Sequence, residues 1–320
     1  MKILITGITG LLGSYLAKYF SGKAEIFGLK RPGSNVGLLG DLSEKIQWFE
    51  GDINDFQLME DACSGMDVVI HAAGMVSFEN SGKEELLKTN TYGTSNIVNA
   101  MLSIGGGKLV FISSVAALGR EAGHRVINED FKWSNSELNS PYAISKHLAE
   151  LEVWRGAQEG LQVMVFNPSV LLGKVSDHRS SSEIYQFVIQ GNDYYPLGNI
   201  NYIDIRDAVE IMGALIDFGR WNERYIISKE SLPYQTFFRE MAEEWNMNPP
   251  KKPLSGWAAT LALAWASVHN LFSKEKLPLN RQKLMLAQTK IAYDNSKIQS
   301  LLNQRFIPLK ETFLWARQPV

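Results

Sequence analysis

A single cysteine, Cys63, is present in the 320 residues, which excludes an internal disulfide and a cysteine-built metal cluster. Neither sign of charge is in excess. With 32 Lys and Arg against 34 Asp and Glu, the overall balance does not select for nucleic acid or an anionic membrane. Apolar runs are short. The longest, Trp257 to Val268, has about 12 residues where a bilayer-spanning helix needs ~20, so no transmembrane segment is expected. It reads first as a buried helix, with a membrane-surface or substrate-facing helix as the alternative. The N-terminus passes directly into Ile3-Leu4-Ile5-Thr6-Gly7, too short an apolar run for a signal peptide, and a cytoplasmic location is the expectation. There is neither a fixed-period repeat nor a low-complexity tract, which excludes solenoids and disordered tails.

What is present is alternation. Short β-rich runs at Ile3–Ile5, Glu25–Leu29, Ile46–Phe49, Val68–Ile70, Leu109–Ile112 and Val163–Phe166 are interleaved with amphipathic stretches at Leu11–Phe20, Phe56–Ala62, Glu84–Leu102 and Tyr142–Gln158. That order predicts a doubly wound α/β fold, a parallel sheet covered by helices on both faces. Residues 1–172 are expected to form a dinucleotide-binding domain. Residues 173–320 should form a smaller, mostly helical substrate-binding region, with segments around 201–230 returning to the first domain. Helices are expected near Ile205–Asp217, Tyr234–Trp245, Trp257–Leu271, Asn295–Leu302 and Pro308–Arg317. The polar excursion Arg120–Ser140 is long for an α/β connection and is expected near a ligand.

Directly after the first strand comes Gly7-Ile8-Thr9-Gly10-Leu11-Leu12-Gly13. Glycines there permit a tight turn and close approach of backbone to a pyrophosphate, whose charge the free N–H groups of the next helix accept. The second strand ends in Lys30-Arg31 with no carboxylate. Positive charge there suits the 2′-phosphate of NADP(H) better than the 2′-hydroxyl of NAD(H), although NAD(H) stays possible and two solvated basic residues are the plainer alternative. Asp52, just past the third strand, could accept from the adenine amino group with Ile53 flanking the ring. A helix-capping role for Asp52 or Asn54 competes.

Tyr142-Ala143-Ile144-Ser145-Lys146 places a phenol and an ammonium on one helix face, with Pro141 in the first turn. Nearby positive charge would lower the phenol's pKa from about 10 and make it a usable acid–base group. Ser113 and Ser114 stand at the C-terminal end of the preceding strand, the edge where ligands collect on a parallel sheet. Together these groups could orient and protonate a carbonyl during hydride transfer.

The segments TGITGLLG (6–13), VIHAAG (69–74), NTYGT (90–94), FISSVAALG (111–119), PYAISK (141–146) and YIDIRD (202–207), in this order, resemble the extended short-chain dehydrogenase/reductase family of the NAD-dependent epimerase/dehydratase type. The resemblance runs from Met1 to about residue 220. It implies a Rossmann fold, Ser114 as catalytic serine, Tyr142 as acid–base, and Lys146 as its partner and ribose ligand. It implies further that Asn90 organises the site, that His71, Ala72 and Ala73 line the cofactor channel, and that Asn167, Pro168 and Val170 contribute to cofactor binding. Nucleotide-sugar epimerases and dehydratases typically carry Arg-Tyr-Phe-Asn-Val-Tyr-Gly where this chain has Asn167-Pro168-Ser169-Val170-Leu171-Leu172-Gly173, and the phosphate-facing asparagine has become Val170. Together with Lys30-Arg31-Pro32-Gly33-Ser34, this is similar to the dihydroflavonol 4-reductase-like branch, which implies NADPH-dependent reduction of a carbonyl on a small, fairly apolar molecule. Tyr194, Tyr195, Trp257 and Trp265 could line such a pocket or simply pack a core. An epimerase or dehydratase with tightly held NAD and a non-catalytic NADP-sensing protein are the alternatives. Homodimer formation through the helices at 84–102 and 142–158 is also implied by the resemblance.

Overall fold

The computed structural model describes residues 1–76, 83–175, 181–256 and 281–318. Strand β1 (Lys2–Thr6) runs into helix α1 (Leu11–Phe20), followed by β2 (Glu25–Lys30), β3 (Gln47–Glu50), α2 (Phe56–Cys63) and β4 (Val68–His71). The chain then forms α3 (Lys83–Leu86), a π-helical turn (Leu87–Tyr92) and α4 (Gly93–Ser103). After β5 (Lys108–Ile112) come the short β6 (Val126–Ile127), α5 (Pro141–Gln158) and β7 (Gln162–Pro168). Seven parallel strands form the central sheet in the order β11-β7-β5-β4-β1-β2-β3, where β11 is Glu223–Ile227. The chain starts in the middle with β1, winds outward through β2 and β3, then restarts on the other side of β1 with β4.

Alternating side chains of these strands feed two separate cores. Ile3, Ile5, Val68, Ile70, Val110, Met164 and Phe166 pack with α1 and with α7 (Ile205–Phe218) on one face. Leu4, Val69, Leu109, Phe111, Val163 and Val165 pack with α2, α4 and α5 on the other. Strands buried on both faces explain why they read as nearly unbroken apolar runs. Gly213 lets α7 lie close to α1, since a Cβ there would come within 2.1 Å of the Tyr19 ring.

The C-terminal part contains more sheet than its pattern announces. Strands β8 (Val170–Leu172), β10 (Asn199–Asp204) and β12 (Glu230–Pro233) form a three-stranded sheet, β10 parallel to β8 and antiparallel to β12. Helix α8 (Tyr234–Trp245) and the helix Leu309–Ala316 cover it, and their contact is aromatic: Phe237, Phe238, Trp245 and Phe313 with Tyr185 and Tyr202. Tyr195 joins this buried cluster, whereas Tyr194 is exposed under the Lys252 ammonium. The expected helix at Trp257–Leu271, with Trp257 and Trp265, lies outside the described residues.

Between residues 201 and 230, α7 packs against α1 and β11 pairs with β7 at the edge of the central sheet. The stretch Arg120–Ser140 is closed at its base by the Arg120 backbone N–H donating to Asn139 Oδ1 (2.9 Å). It is pinned from outside by pairing of β6 with Ala292–Tyr293, and Trp133 within it stacks on His147 of α5 with ring centres 4.0 Å apart. The span 84–102 is not one regular helix, because the π-helical turn interrupts it at Leu87–Tyr92. Among the described residues no helix is long and apolar enough to cross a membrane.

Candidate active site

The order of the sheet reverses between β1 and β4, and it is in the crevice outside the strand C-termini at such a switch point that open α/β sheets bind ligands. Gly7 leaves β1 with φ +68°, and a Cβ on it would meet the backbone N of Ala73 at 2.5 Å. The loops after β1 and β4 therefore pack backbone to backbone at this position, which only glycine permits. A Cβ on Gly13 would stand 2.3 Å from the Gly7 carbonyl oxygen, so the first turn of α1 also sits directly on the loop. Helix α1 begins at Gly10 with neither a side-chain cap nor an acidic residue in its first turn. The amides of Leu11, Leu12 and Gly13 in the first turn have no intrahelical acceptor, a donor set that fits a pyrophosphate. Thr9 is half-buried beside them.

At the end of β2, Lys30 and Arg31 separate in role. The Lys30 ammonium lies over the Trp48 ring at 5.1 Å, while Arg31 is exposed. Asp52 accepts from the backbone N–H (2.9 Å) and side-chain amide of Asn54 in a tight local turn, and this hydrogen bonding, with Arg31 and Lys88 nearby, holds its carboxyl below the usual range. The competing capping role falls to neither Asp52 nor Asn54. Asp55 is the cap of α2, accepting from the Leu58 N–H. Ile53 is buried against Gly93 and its carbonyl is held by Asn96.

Ser114 follows β5, and Tyr142 and Lys146 project from the first two turns of α5, which Ser140 caps by accepting from the Ala143 N–H. The Tyr142 phenol is hydrogen-bonded to Ser114. Lys146, 5% exposed, donates to the Ile112 carbonyl at 2.8 Å and lies over the Phe111 ring. Burial draws its pKa down to about 8, opposed by the charge of Glu150. The phenol of Tyr142 departs from expectation. Burial raises its pKa and the Ser114 hydrogen bond counters this. Ser113 is buried beneath Ser114.

Asn90 sits in the π-helical turn, where the wider backbone winding aims its side chain into the site. Its Oδ1 accepts from the Met75 N–H (2.7 Å), and its Nδ2 donates to the Met75 carbonyl (2.9 Å) and to Ser145 Oγ (3.0 Å). It thereby fixes the chain after β4 against α5. No local pattern in NTYGT announces a π turn, which is why the sequence shows the residue but not its geometry.

Two expected cofactor contacts are corrected. His71 is fully buried and its ring nitrogens are taken by Thr6 Oγ1 (2.7 Å) and Thr94 Oγ1 (3.0 Å), so it braces β1 against α4 beneath the channel while Ala72 and Ala73 reach the surface. Asn167 is likewise fully buried, and its amide nitrogen donates to the Ser114 carbonyl (2.8 Å) and Glu150 Oε1 (2.6 Å). Pro168 is buried beside it, whereas Val170 is half-buried at the start of β8. Glu150 and Arg224, whose pairing with Asn167 lies behind the site, were not singled out by motif reasoning. The spacing of Glu150 one turn beyond Lys146 was the available signal.

With this geometry in place, a family model described as NAD dependent epimerase/dehydratase family matches residues 3–228. The chain belongs to that family. It is similar over 310 residues, at 27% identity, to a Synechocystis protein named "Putative dihydroflavonol 4-reductase", the match covering 92% of this chain and 87% of that one. Anthocyanidin reductase of Arabidopsis thaliana is 23% identical, with 98% and 94% covered. Among solved structures, gox2253 superposes with a TM-score of 0.82 at 24% identity, covering 98% of this chain and 96% of that one. The Bordetella bronchiseptica enzyme WbmH in complex with NAD+ gives 0.75 at 20%, covering 99% and 96%. Family membership makes the protein an NAD(P)-dependent enzyme of the dehydrogenase/reductase type, and its sheet is the Rossmann arrangement.

Burial of His71 has a measurable consequence. Its pKa falls from 6.5 to about 3, chiefly through desolvation, so the unfolded chain takes up a proton that the folded one refuses. The stability contributed by neutral His71 is present above about pH 6.5 and is lost as pH falls toward 3, at up to about 1.4 kcal/mol per pH unit. Urea unfolding across that window should show a shallower pH dependence in H71Q than in the wild type, and equal slopes would assign the effect to other groups.

Proposed function

We propose that the protein is an NADP(H)-dependent oxidoreductase that interconverts a carbonyl and an alcohol on a small, fairly apolar substrate. The observation that carries this reading is the Tyr142–Ser114 hydrogen bond at the C-terminal edge of the sheet, with Lys146 one helical turn beyond. When bound, the nicotinamide would supply or accept the hydride. Gly7, Thr9, Gly10, Leu11, Leu12 and Gly13 would hold the pyrophosphate, Asp52 and Ile53 the adenine, and Ala72 and Ala73 would form the wall of the channel.

In the reductive direction, Ser114 and Tyr142 orient the substrate oxygen and Tyr142 gives up its proton as negative charge develops there. A buried phenol is a weak acid, so this transfer needs positive charge close by. Lys146 provides it, held by the Ile112 carbonyl on the same side of the site. Asn90 keeps this geometry by tying Met75 to Ser145. The region 173–320 completes the substrate side. Val170 offers no hydrogen-bond donor to a nucleotide-sugar diphosphate, which favours a carbonyl reductase over an epimerase.

The preference for NADP(H) rests on Arg31, exposed directly after β2, whose own C-terminal end carries Lys30, followed by Arg31, in place of a carboxylate. A homodimer is supported by exposed apolar side chains on the π-helical turn and α5, Tyr92 at 63% and Leu151 at 50%.

Three measurements test this. Y142F should keep cofactor affinity within about 3-fold while losing at least about 100-fold in turnover of a carbonyl substrate, the scale of a lost general acid; undiminished turnover would remove Tyr142 from the chemistry. Isothermal titration with R31E should show NADPH binding weakened by about 10-fold or more with NADH little changed, in keeping with loss of a charge-assisted phosphate contact; equal effects on both would remove the 2′-phosphate assignment. Sedimentation equilibrium should give twice the 35.9 kDa chain mass, and L151R should shift it toward one chain.

A further inference from the structure

One turn beyond Lys146 on α5 begins a buried charged cluster that the reaction described above does not use. Glu150 is one turn further along α5 and fully buried. A carboxylate in such a place needs its lone pairs answered. Arg224 of β11 pairs with Oε2 through its Nη2, and the Asn167 amide donates to Oε1 at 2.6 Å. The same Asn167 nitrogen donates to the backbone carbonyl of Ser114 at 2.8 Å. Because it serves two acceptors, only the amide nitrogen can occupy that position. One side chain therefore links the carboxylate behind Lys146 to the backbone that carries the serine.

We propose that Glu150 is a positioning residue of the active site: fixed by Arg224 and joined through Asn167 to the Ser114 backbone, its buried carboxylate stands one helical turn beyond Lys146 and answers the charge of that lysine. The assignment rests on the reading that Lys146 and Ser114 act in the reaction. A desolvated lysine tends to lose its proton. The charged and titratable groups facing Lys146 are Tyr142 one turn before it, Glu150 one turn after, and His71 across the sheet. Of these, Glu150 brings negative charge. Arg224 stands behind Glu150 and contributes opposite charge from farther away, bounded by the Glu129 carbonyl and the Trp154 ring. His147 senses both Glu150 and Arg224 from the outer edge of α5. The network is compact enough to hold geometry as well as charge, since Asn167 reports any movement of Glu150 directly to Ser114.

The experiment follows the ε-carbon NMR signal of Lys146, assigned by K146R, through a pH titration of selectively labelled protein purified without nucleotide. In E150Q the Lys146 titration should fall by about one pH unit relative to wild type. A residue that served packing alone would lower the melting temperature and leave this titration in place, and that result overturns the proposal. Should E150Q not fold because Arg224 is left unpaired, E150Q/R224Q removes both charges, and the titration should still fall, by less; an unchanged or raised value in the double variant likewise overturns it. The readout needs neither substrate nor turnover, so it stands apart from the Y142F measurement, whose failure would remove the reductase reading while leaving the electrostatic link between Glu150 and Lys146 to be judged separately.

Discussion

A lysine ammonium held in the interior dictates what surrounds it. Lys146 is 5% exposed, and each neighbour answers its charge in a different way: the Ile112 carbonyl by a hydrogen bond, the Phe111 ring by its face, Glu150 by opposite charge. Those partners come from β5 and from the next turn of α5. The registration of that helix on the sheet and the state of the lysine are therefore one constraint.

The same constraint extends outward. Glu150 in turn requires Arg224 from the last strand of the central sheet and Asn167 from β7, so that edge of the sheet is bound to the helix bearing Tyr142 and Lys146. On the other flank, Asn90 ties the loop after β4 to Ser145 and hence to α5. Tyr142, between these two supports, has little freedom left except toward Ser114. The nucleotide side is built on a different principle, close backbone contact. Gly7 against Ala73, and Gly13 against Gly7, leave no room for side chains and bring amide groups to the crevice.

Much of this was legible in the residues. The glycine loop, the apolar strands and the Tyr142–Lys146 spacing are local, and local chemistry fixes them: a positive φ at Gly7, both-face burial of each strand, one helical turn between two side chains. The boundaries of α1 and α8 also match their patterns, because apolar periodicity and the flanking turns coincide there. By contrast, β8, β10 and β12 were missed, because their pairing depends on partners distant in sequence. The family resemblance implied a channel position for His71, yet its ring is fully buried between Thr6 and Thr94.

The sequence by itself determined the class of fold, the glycine loop, and which phenol, ammonium and hydroxyl could do chemistry, because those depend on residues close together in the chain. Only the tertiary structure decided that Asn90 ties Met75 to Ser145 from a π turn, and that Glu150 joins Arg224 and Asn167. Those outcomes hinge on which long-range partner satisfies a buried polar group, and no local pattern encodes that partner.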